Sequence, residues 1–98
     1  MSALNNYVDL IKNFLDGNLS ASQFSDMYVQ RFKVESGPMD ERLFLLLDEL
    51  FGDAESFTPN SALRAENPGF YLDEPVLQMK ARDILGRMRS WHGQQVTA

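Results

Sequence analysis

The segment that most constrains the fold is residues 40–57, which joins the most apolar run of the chain to its densest group of acidic residues. Its apolar positions recur at intervals of three and four residues, which is the spacing of a half-buried helix rather than of a strand. These positions are Leu43, Leu46, Leu47, Leu50, Ala54 and Phe57. Asp40 is a suitable N-cap, and Gly52 costs only about 1 kcal/mol inside a helix. We therefore predict one continuous helix over this segment.

The same helix is predicted to carry a line of carboxylates opposite its apolar stripe. Glu41, Asp48 and Glu55 are spaced by seven residues, so at about 100° per residue they fall on one side. Either they form a solvated face or they bind a basic partner. Phe44 and Phe51, also seven apart, lie beside this line. Either both pack on another helix, or one is exposed as an interface anchor.

Two helices are predicted before this segment. The first, capped by Ser2, ends at Gly17-Asn18, because both residues tolerate the left-handed conformation that closes a helix. The second opens with a capping box formed by Ser20 and Gln23 and ends before residues 36–38, where a glycine precedes a proline. The residues that we expect it to bury are Phe24, Met27, Tyr28 and Phe32.

A loop is predicted after the acidic helix, because residues 58–72 lose the helical period. A short helical turn is expected at residues 61–65, and Asn67-Pro68-Gly69 has the residues of a type II turn. Either Phe70 or Leu72 is expected to anchor the end of the loop in the core.

The last predicted helix begins at Asp73 as N-cap, with Pro75 in the first turn where its missing N–H costs nothing. Its apolar stripe ends at Trp91, and the tail, residues 92–98, is expected to be flexible. Four amphipathic helices with mostly short links predict an all-α fold, an antiparallel four-helix bundle. We expect its ordered core to span residues 3–91.

The length and composition favour a small soluble protein. A chain of 98 residues is one domain with a single core. No apolar run approaches the ~20 residues that cross a bilayer, and the N-terminus resembles no secretion signal. We therefore expect a cytoplasmic protein that does not enter a membrane. The absence of cysteine excludes disulfides and thiolate metal ligands.

Negative charge is concentrated in one third of the chain. Residues 40–74 hold nine acids and two arginines, a net charge of −7, so the remainder carries +2. Such a segment repels nucleic acid and attracts basic proteins. Its acids are Asp40, Glu41, Asp48, Glu49, Asp53, Glu55, Glu66, Asp73 and Glu74. We expect a basic protein partner and no direct nucleic-acid binding.

The residues that catalysis requires are mostly missing. The chain has no cysteine, and its single histidine, His92, lies in the predicted tail. No glycine-rich phosphate loop, EF-hand loop or Glu-x-x-His pair is present. The adjacent acids at residues 48–49 and 73–74 diverge around a helix or act as caps instead of converging on a metal. We predict no catalytic residue, no metal and no cofactor, and hence not an enzyme.

Three segments carry a resemblance to a known family. An opening helix ends in Phe-Leu at residues 8–15, and residues 19–24 form a small polar turn into Gln-Phe. An acidic Glu-Leu-Phe box at residues 48–59 ends in Phe-x-Pro. In this order and spacing they resemble the colicin D immunity proteins, a family that includes immunity proteins of contact-dependent inhibition systems. The resemblance covers most of residues 7–91.

The resemblance implies a four-helix bundle that binds a nuclease toxin, typically one that cleaves tRNA, and covers its basic active site. Asp48, Glu49 and Glu55 inherit the toxin-facing role by position. A relative in that family carries an acid at the position where this chain has Asn60, so the resemblance implies that Asp53 or Glu66 replaces that contact.

The charge pattern and the resemblance together predict a site that binds a partner protein. Its predicted residues are Glu41, Asp48, Glu49, Phe51, Asp53, Glu55, Glu66, Asp73 and Glu74. We expect a monomer that forms a heterodimer with the nuclease domain. The alternative is a small acidic helical adaptor that docks the basic region of another protein.

Overall fold

The computed structural model describes the backbone of residues 3–35, 39–67 and 69–97 and the side chains of residues 6–35, 39–67 and 69–91. Five helices make up most of these residues. In chain order they are α1 (Ala3–Leu15), α2 (Ala21–Val34), α3 (Glu41–Ser56), α4 (Ser61–Glu66) and α5 (Glu74–Thr97). The predicted all-α class is confirmed.

The four long helices form the bundle. α1 and α3 each pack against both α2 and α5, and α2 also contacts α5 across the core. Five residues separate α1 from α2 and six separate α2 from α3, and connections this short favour antiparallel neighbours. The fifth helix, α4, is a short element within the connection from α3 to α5. The structure therefore agrees with the predicted four-helix bundle, to which α4 is an addition.

Aromatic rings fill the centre of the bundle. The rings of Phe14 and Phe24 stack with centroids 4.4 Å apart, and Tyr28 lies 5.6 Å from Phe24. All three side chains are almost completely buried. The Tyr28 hydroxyl donates a 2.7 Å hydrogen bond to the Leu47 carbonyl oxygen. This bond joins α2 to α3 inside the core, so it helps to set the position of α3.

The helix starts are confirmed where the structure describes them. Ser20 Oγ accepts from the Gln23 N–H while the Gln23 side chain accepts from the Ser20 N–H, which is the predicted capping box. Asp40 accepts from the first N–H groups of α3, and α3 continues through Gly52. Gly17 has a φ of 86°, the left-handed conformation expected after α1. The predicted cap at Ser2 and the break at residues 36–38 lie outside the described residues.

The connection from α3 to α5 closes one end of the bundle. The predicted helical turn is present as α4, and the Leu72 N–H donates a 2.9 Å bond to the Ser56 carbonyl oxygen. Phe57 and Leu72 form an isolated β-bridge, whereas Phe70 is 63% exposed. Leu72 is therefore tied to the end of α3 through its backbone. Neither Phe70 nor Leu72 belongs to the hydrophobic core of the described residues, so the predicted anchoring of the loop in the core is not confirmed. The predicted turn at Asn67-Pro68-Gly69 includes Pro68, which lies outside the described residues.

Two further expectations differ from the structure. Met27 is 48% exposed, because it lies on the edge of α2 and not on the stripe that contains Phe24 and Tyr28. The last helix continues to Thr97 and does not end at Trp91, because backbone hydrogen bonds can extend a helix beyond its apolar sequence pattern. The flexibility of residues 92–98 stays a prediction.

Candidate protein-binding site

Three carboxylates form a line on the outer side of α3. Glu41, Asp48 and Glu55 are all exposed, and at 1.5 Å per residue the line is about 21 Å long. We call these three residues the acidic ridge. None of them forms an ion pair with any residue that the structure describes. Within the described part of the chain, the ridge is thus a row of negative charges that no ion pair compensates.

Two phenylalanines run beside the acidic ridge on the side that faces α2. Both contact Phe32 of α2, with ring centroids at 5.6 Å for Phe44 and 5.0 Å for Phe51. Phe51 is partly buried, while Phe44 is 45% exposed. Both rings therefore pack on the second helix, and Phe44 is the one that also presents apolar surface next to the acids. The partner-binding role of Phe51 stays a prediction.

Glu49 lies on the other side of α3, towards α5. Its Oε2 accepts a 2.7 Å hydrogen bond from Arg87 Nη1, and Asp83 Oδ2 accepts a second from the same atom at 3.3 Å. The bond to Glu49 is the main reason why the pKa of Arg87 is raised. An exposed pair of this kind stabilises a protein by at most about 1 kcal/mol. The pair with Arg87 nevertheless compensates the charge of Glu49, whereas the acids of the ridge have no such partner among the described residues.

Asp53 also faces away from the acidic ridge. It is partly buried, and its Oδ2 accepts no hydrogen bond from any described residue. Burial raises the pKa of the Asp53 carboxyl, Lys80 partly offsets this effect, and the negative charge of Glu49 adds to it. As an ionised group Asp53 therefore costs folding free energy.

Replacing Asp53 with asparagine is expected to stabilise the protein near neutral pH. Because the folded-state pKa is raised, protonation of Asp53 favours folding below its ordinary value of 3.8, and this contribution is lost as the pH rises through the folded-state pKa. The gain in melting temperature of Asp53→Asn should thus be present at pH 7 and shrink as the pH falls towards that value. Thermal unfolding from pH 7 to pH 4 measures it, with the exposed Asp9→Asn as control. An equal gain at every pH, or none at pH 7, would contradict this account.

The remaining predicted acids lie at the end of α4 and at the start of α5. Asp73 Oδ1 accepts a 3.1 Å bond from the Val76 N–H, so this carboxylate caps α5, as predicted. Glu74 and Glu66 are exposed in the first turn of α5 and at the end of α4. Asn60, where the resemblance implied an acid, caps α4 by accepting from the Ala62 and Leu63 N–H groups. Of the two acids expected to replace its contact, Glu66 is the exposed one and Asp53 is partly buried.

A groove between α2 and the end of α3 brings in an acid that sequence reasoning missed. It has a volume of about 390 Å³, and both Asp26 and Glu55 line it. Asp26 is exposed on α2, whereas Glu55 is the last member of the acidic ridge. The two are 29 residues apart in the chain, so no local pattern could have paired them. We call this cleft the α2–α3 groove.

Neither a metal centre nor a membrane-spanning helix is found in the described part of the chain. Among those residues, no group of three histidines, cysteines, aspartates or glutamates is arranged to hold a metal ion. None of the helices described has both the length and the apolar character needed to cross a bilayer. The site is therefore defined by carboxylates, two phenylalanines and one groove.

Comparison with known proteins identifies the family. The family model described as bacterial self-protective colicin-like immunity matches residues 1–88. Because this match covers most of the chain, the protein belongs to the colicin-like immunity family, which confirms the resemblance seen in the sequence. Neither the curated proteins nor the solved structures contain a significant match. The family makes the chain a toxin-neutralising immunity protein whose partner is a cognate toxin.

Proposed function

We propose that this immunity protein neutralises a nuclease toxin by placing the acidic ridge in the basic cleft where the toxin binds nucleic acid. The observation that carries the proposal is the ridge itself, in which Glu41, Asp48 and Glu55 are exposed and form no ion pair with a described residue. A cleft that binds a polyanion must be positively charged. A row of carboxylates can therefore occupy it in place of phosphates.

The rigidity of α3 supports this role. Leu43, Leu47 and Leu50 are at most 5% exposed, so the side of the helix opposite the ridge is held in the core. A backbone fixed before binding loses little conformational entropy on association. The carboxylates are thus presented in a defined row rather than on a mobile loop.

The exposed edge of Phe44 supplies the apolar part of the same surface. Stable interfaces combine a desolvated aromatic anchor with a polar rim. Phe44 lies next to the acidic ridge and is 45% exposed. In the proposed complex its ring packs against the toxin, while the neighbouring carboxylates pair with lysine or arginine side chains.

The resemblance to the colicin D immunity proteins also suggests the substrate of the toxin, the stoichiometry of the complex and the place where it forms. We propose that the toxin cleaves tRNA, that the complex contains one copy of each protein, and that protection takes place in the cytoplasm, where tRNA is found. Glu49, Phe51, Asp53, Glu66, Asp73 and Glu74 remain proposed contacts outside the ridge.

We expect the cognate toxin to be encoded by a gene adjacent to that of this protein, and the proposal is tested with that toxin. Titrating the purified toxin with this protein is expected to abolish tRNA cleavage at a molar ratio of one to one. The association rate with an inactive toxin variant should fall markedly from 50 mM to 500 mM salt, because screening weakens electrostatic steering. Stopped-flow fluorescence measures that rate.

Two results would contradict the proposal. Full binding without loss of tRNA cleavage would place the contact away from the active site. An association rate that does not change with salt would exclude a ridge of exposed carboxylates as the steering surface.

A further inference from the structure

We propose that the α2–α3 groove is a specific binding site for one arginine side chain of the partner, held between Asp26 and Glu55. This inference rests on the proposed function, because it requires a basic partner, and it adds to the acidic ridge a pocket with a defined occupant. The evidence comes from the charge, the lining and one buried hydroxyl of the groove.

Among the described residues that line it, the groove has two negative charges and no compensating cation. Asp26 and Glu55 both line it, and none of its described lining residues is lysine or arginine. Neither carboxylate forms an ion pair with a described residue. Two carboxylates that share one cleft repel each other, so a cation placed between them is favoured electrostatically.

One buried hydroxyl beside the groove, that of Ser25, has no hydrogen-bond partner among the described residues. Ser25 is 6% exposed, lines the groove, and its Oγ bonds to no described residue. Buried polar groups in folded proteins are nearly always satisfied, so an exception calls for a cause. Ser25 Oγ itself has almost no accessible surface, so an N–H donor that enters the groove bonds to it only once the side chains that cover it move aside.

The shape and lining of the groove fit a long side chain with a charged end. Its volume of about 390 Å³ is at the small end of the range for ligand sites, ~300–1,000 Å³. Val29, Ala54 and Phe57 provide apolar walls against which a methylene chain can pack. The groove therefore offers apolar contact along its walls in addition to its carboxylates and hydroxyl.

Arginine matches these acceptors better than lysine does. The guanidinium has five N–H donors in a planar fork and is weakly hydrated, whereas the ammonium is a strongly hydrated point charge. Asp26, Glu55 and Ser25 supply acceptors from two helices, so a fork can bond to more than one of them. We therefore assign the site to arginine.

The direct test uses a short peptide as probe. Acetyl-Gly-Arg-Gly-amide is titrated into the ¹⁵N-labelled protein and amide shifts are followed by NMR, with the citrulline and lysine peptides as neutral and charged controls. The arginine peptide is expected to shift amides at residues 22–30 and 54–57, the citrulline peptide none. Asp26→Asn should remove these shifts, whereas Asp9→Asn on α1 should keep them. Equal effects of arginine and citrulline would overturn the site, and equal effects of lysine would overturn the assignment to arginine.

A second measurement with the toxin separates this inference from the proposed function. Asp26→Asn is expected to raise the dissociation constant at least about tenfold, as for the loss of a close charge pair. Ser25→Ala should weaken binding too, but without lowering the melting temperature, because the hydroxyl that it removes has no partner. If both variants bind the toxin like the wild type while Glu41→Lys and Asp48→Lys bind poorly, the groove inference fails and the ridge proposal stands. If the wild type itself does not bind a nuclease, the proposed function fails.

Discussion

Glu55→Lys is expected to remove most of the protection against the toxin while leaving the protein folded. Glu55 belongs to both the acidic ridge and the α2–α3 groove. The substitution therefore places a positive charge against the proposed basic cleft and also removes one carboxylate from the groove. Losing one partner of a close charge pair in an interface costs about 2–5 kcal/mol, and reversal adds repulsion. Tenfold in the dissociation constant corresponds to about 1.4 kcal/mol. We therefore expect a rise of at least about thirtyfold, measured by calorimetry and by a tRNA cleavage assay.

The matched control is Asp9→Lys. Asp9 is exposed on α1 and forms no ion pair with a described residue, so its reversal changes the net charge by the same amount. Asp83 is less suitable because it bonds to Arg87. Asp9→Lys should weaken binding by much less than Glu55→Lys, with a small change in association rate. Comparable losses in the two variants would indicate that only total charge matters.

Retained protection would point to a different surface. If Glu55→Lys protects as well as the wild type and remains folded, the acidic ridge is a solvated helix face and the toxin binds elsewhere. Circular dichroism and thermal unfolding check the fold. Glu55 is exposed, and exposed substitutions usually change stability by no more than about 0.5 kcal/mol.

Phe24→Ala is expected to destabilise the protein more than any ridge substitution. Phe24 is completely buried and its ring stacks on Phe14 and contacts Tyr28. Replacing a buried phenylalanine with alanine costs about 3–5 kcal/mol, through lost transfer free energy and the cavity that remains. The total free energy of unfolding of a small domain is only about 5–15 kcal/mol. The melting temperature should therefore fall by roughly 12 °C or more, as measured by calorimetry.

Phe70→Ala provides the matched control, because it makes the same chemical change at a position that is 63% exposed. Its ring contacts Tyr71 with centroids 4.8 Å apart, and its loss should cost no more than about 0.5 kcal/mol. Similar losses of stability in Phe24→Ala and Phe70→Ala would mean that the residue at position 70 is buried in solution. Protection at low temperature should persist in both variants, because neither ring belongs to the acidic ridge.

The starts of the helices were predictable from the sequence because the signals are local. The capping box at Ser20 and Gln23 and the caps at Asp40 and Asp73 each involve atoms within a few residues of one another. The left-handed Gly17 that follows α1 is an equally local signal. The end of α5 was less predictable, since this helix continues to Thr97 beyond its apolar stripe. A helix can be propagated by backbone bonds after the side-chain pattern has ended.

The acidic ridge was predictable for the same local reason. Glu41, Asp48 and Glu55 belong to one helix, so a spacing of seven is enough to align them. Their common exposure follows from the apolar stripe on the opposite side of α3. The family resemblance was also recognisable from the sequence, and it supplies the immunity function that composition alone left open.

Only the tertiary structure decided which acids form contacts within the protein and which clefts the others line. Glu49 bonds to Arg87, which is 38 residues away, and Asp53 is partly buried. Asp26 joins Glu55 in one groove because α2 packs against α3. Such relations depend on how α3 is rotated against its neighbours. The helical period leaves that rotation undetermined, and it is set by the packing of the rings and by the buried bond from Tyr28 to Leu47.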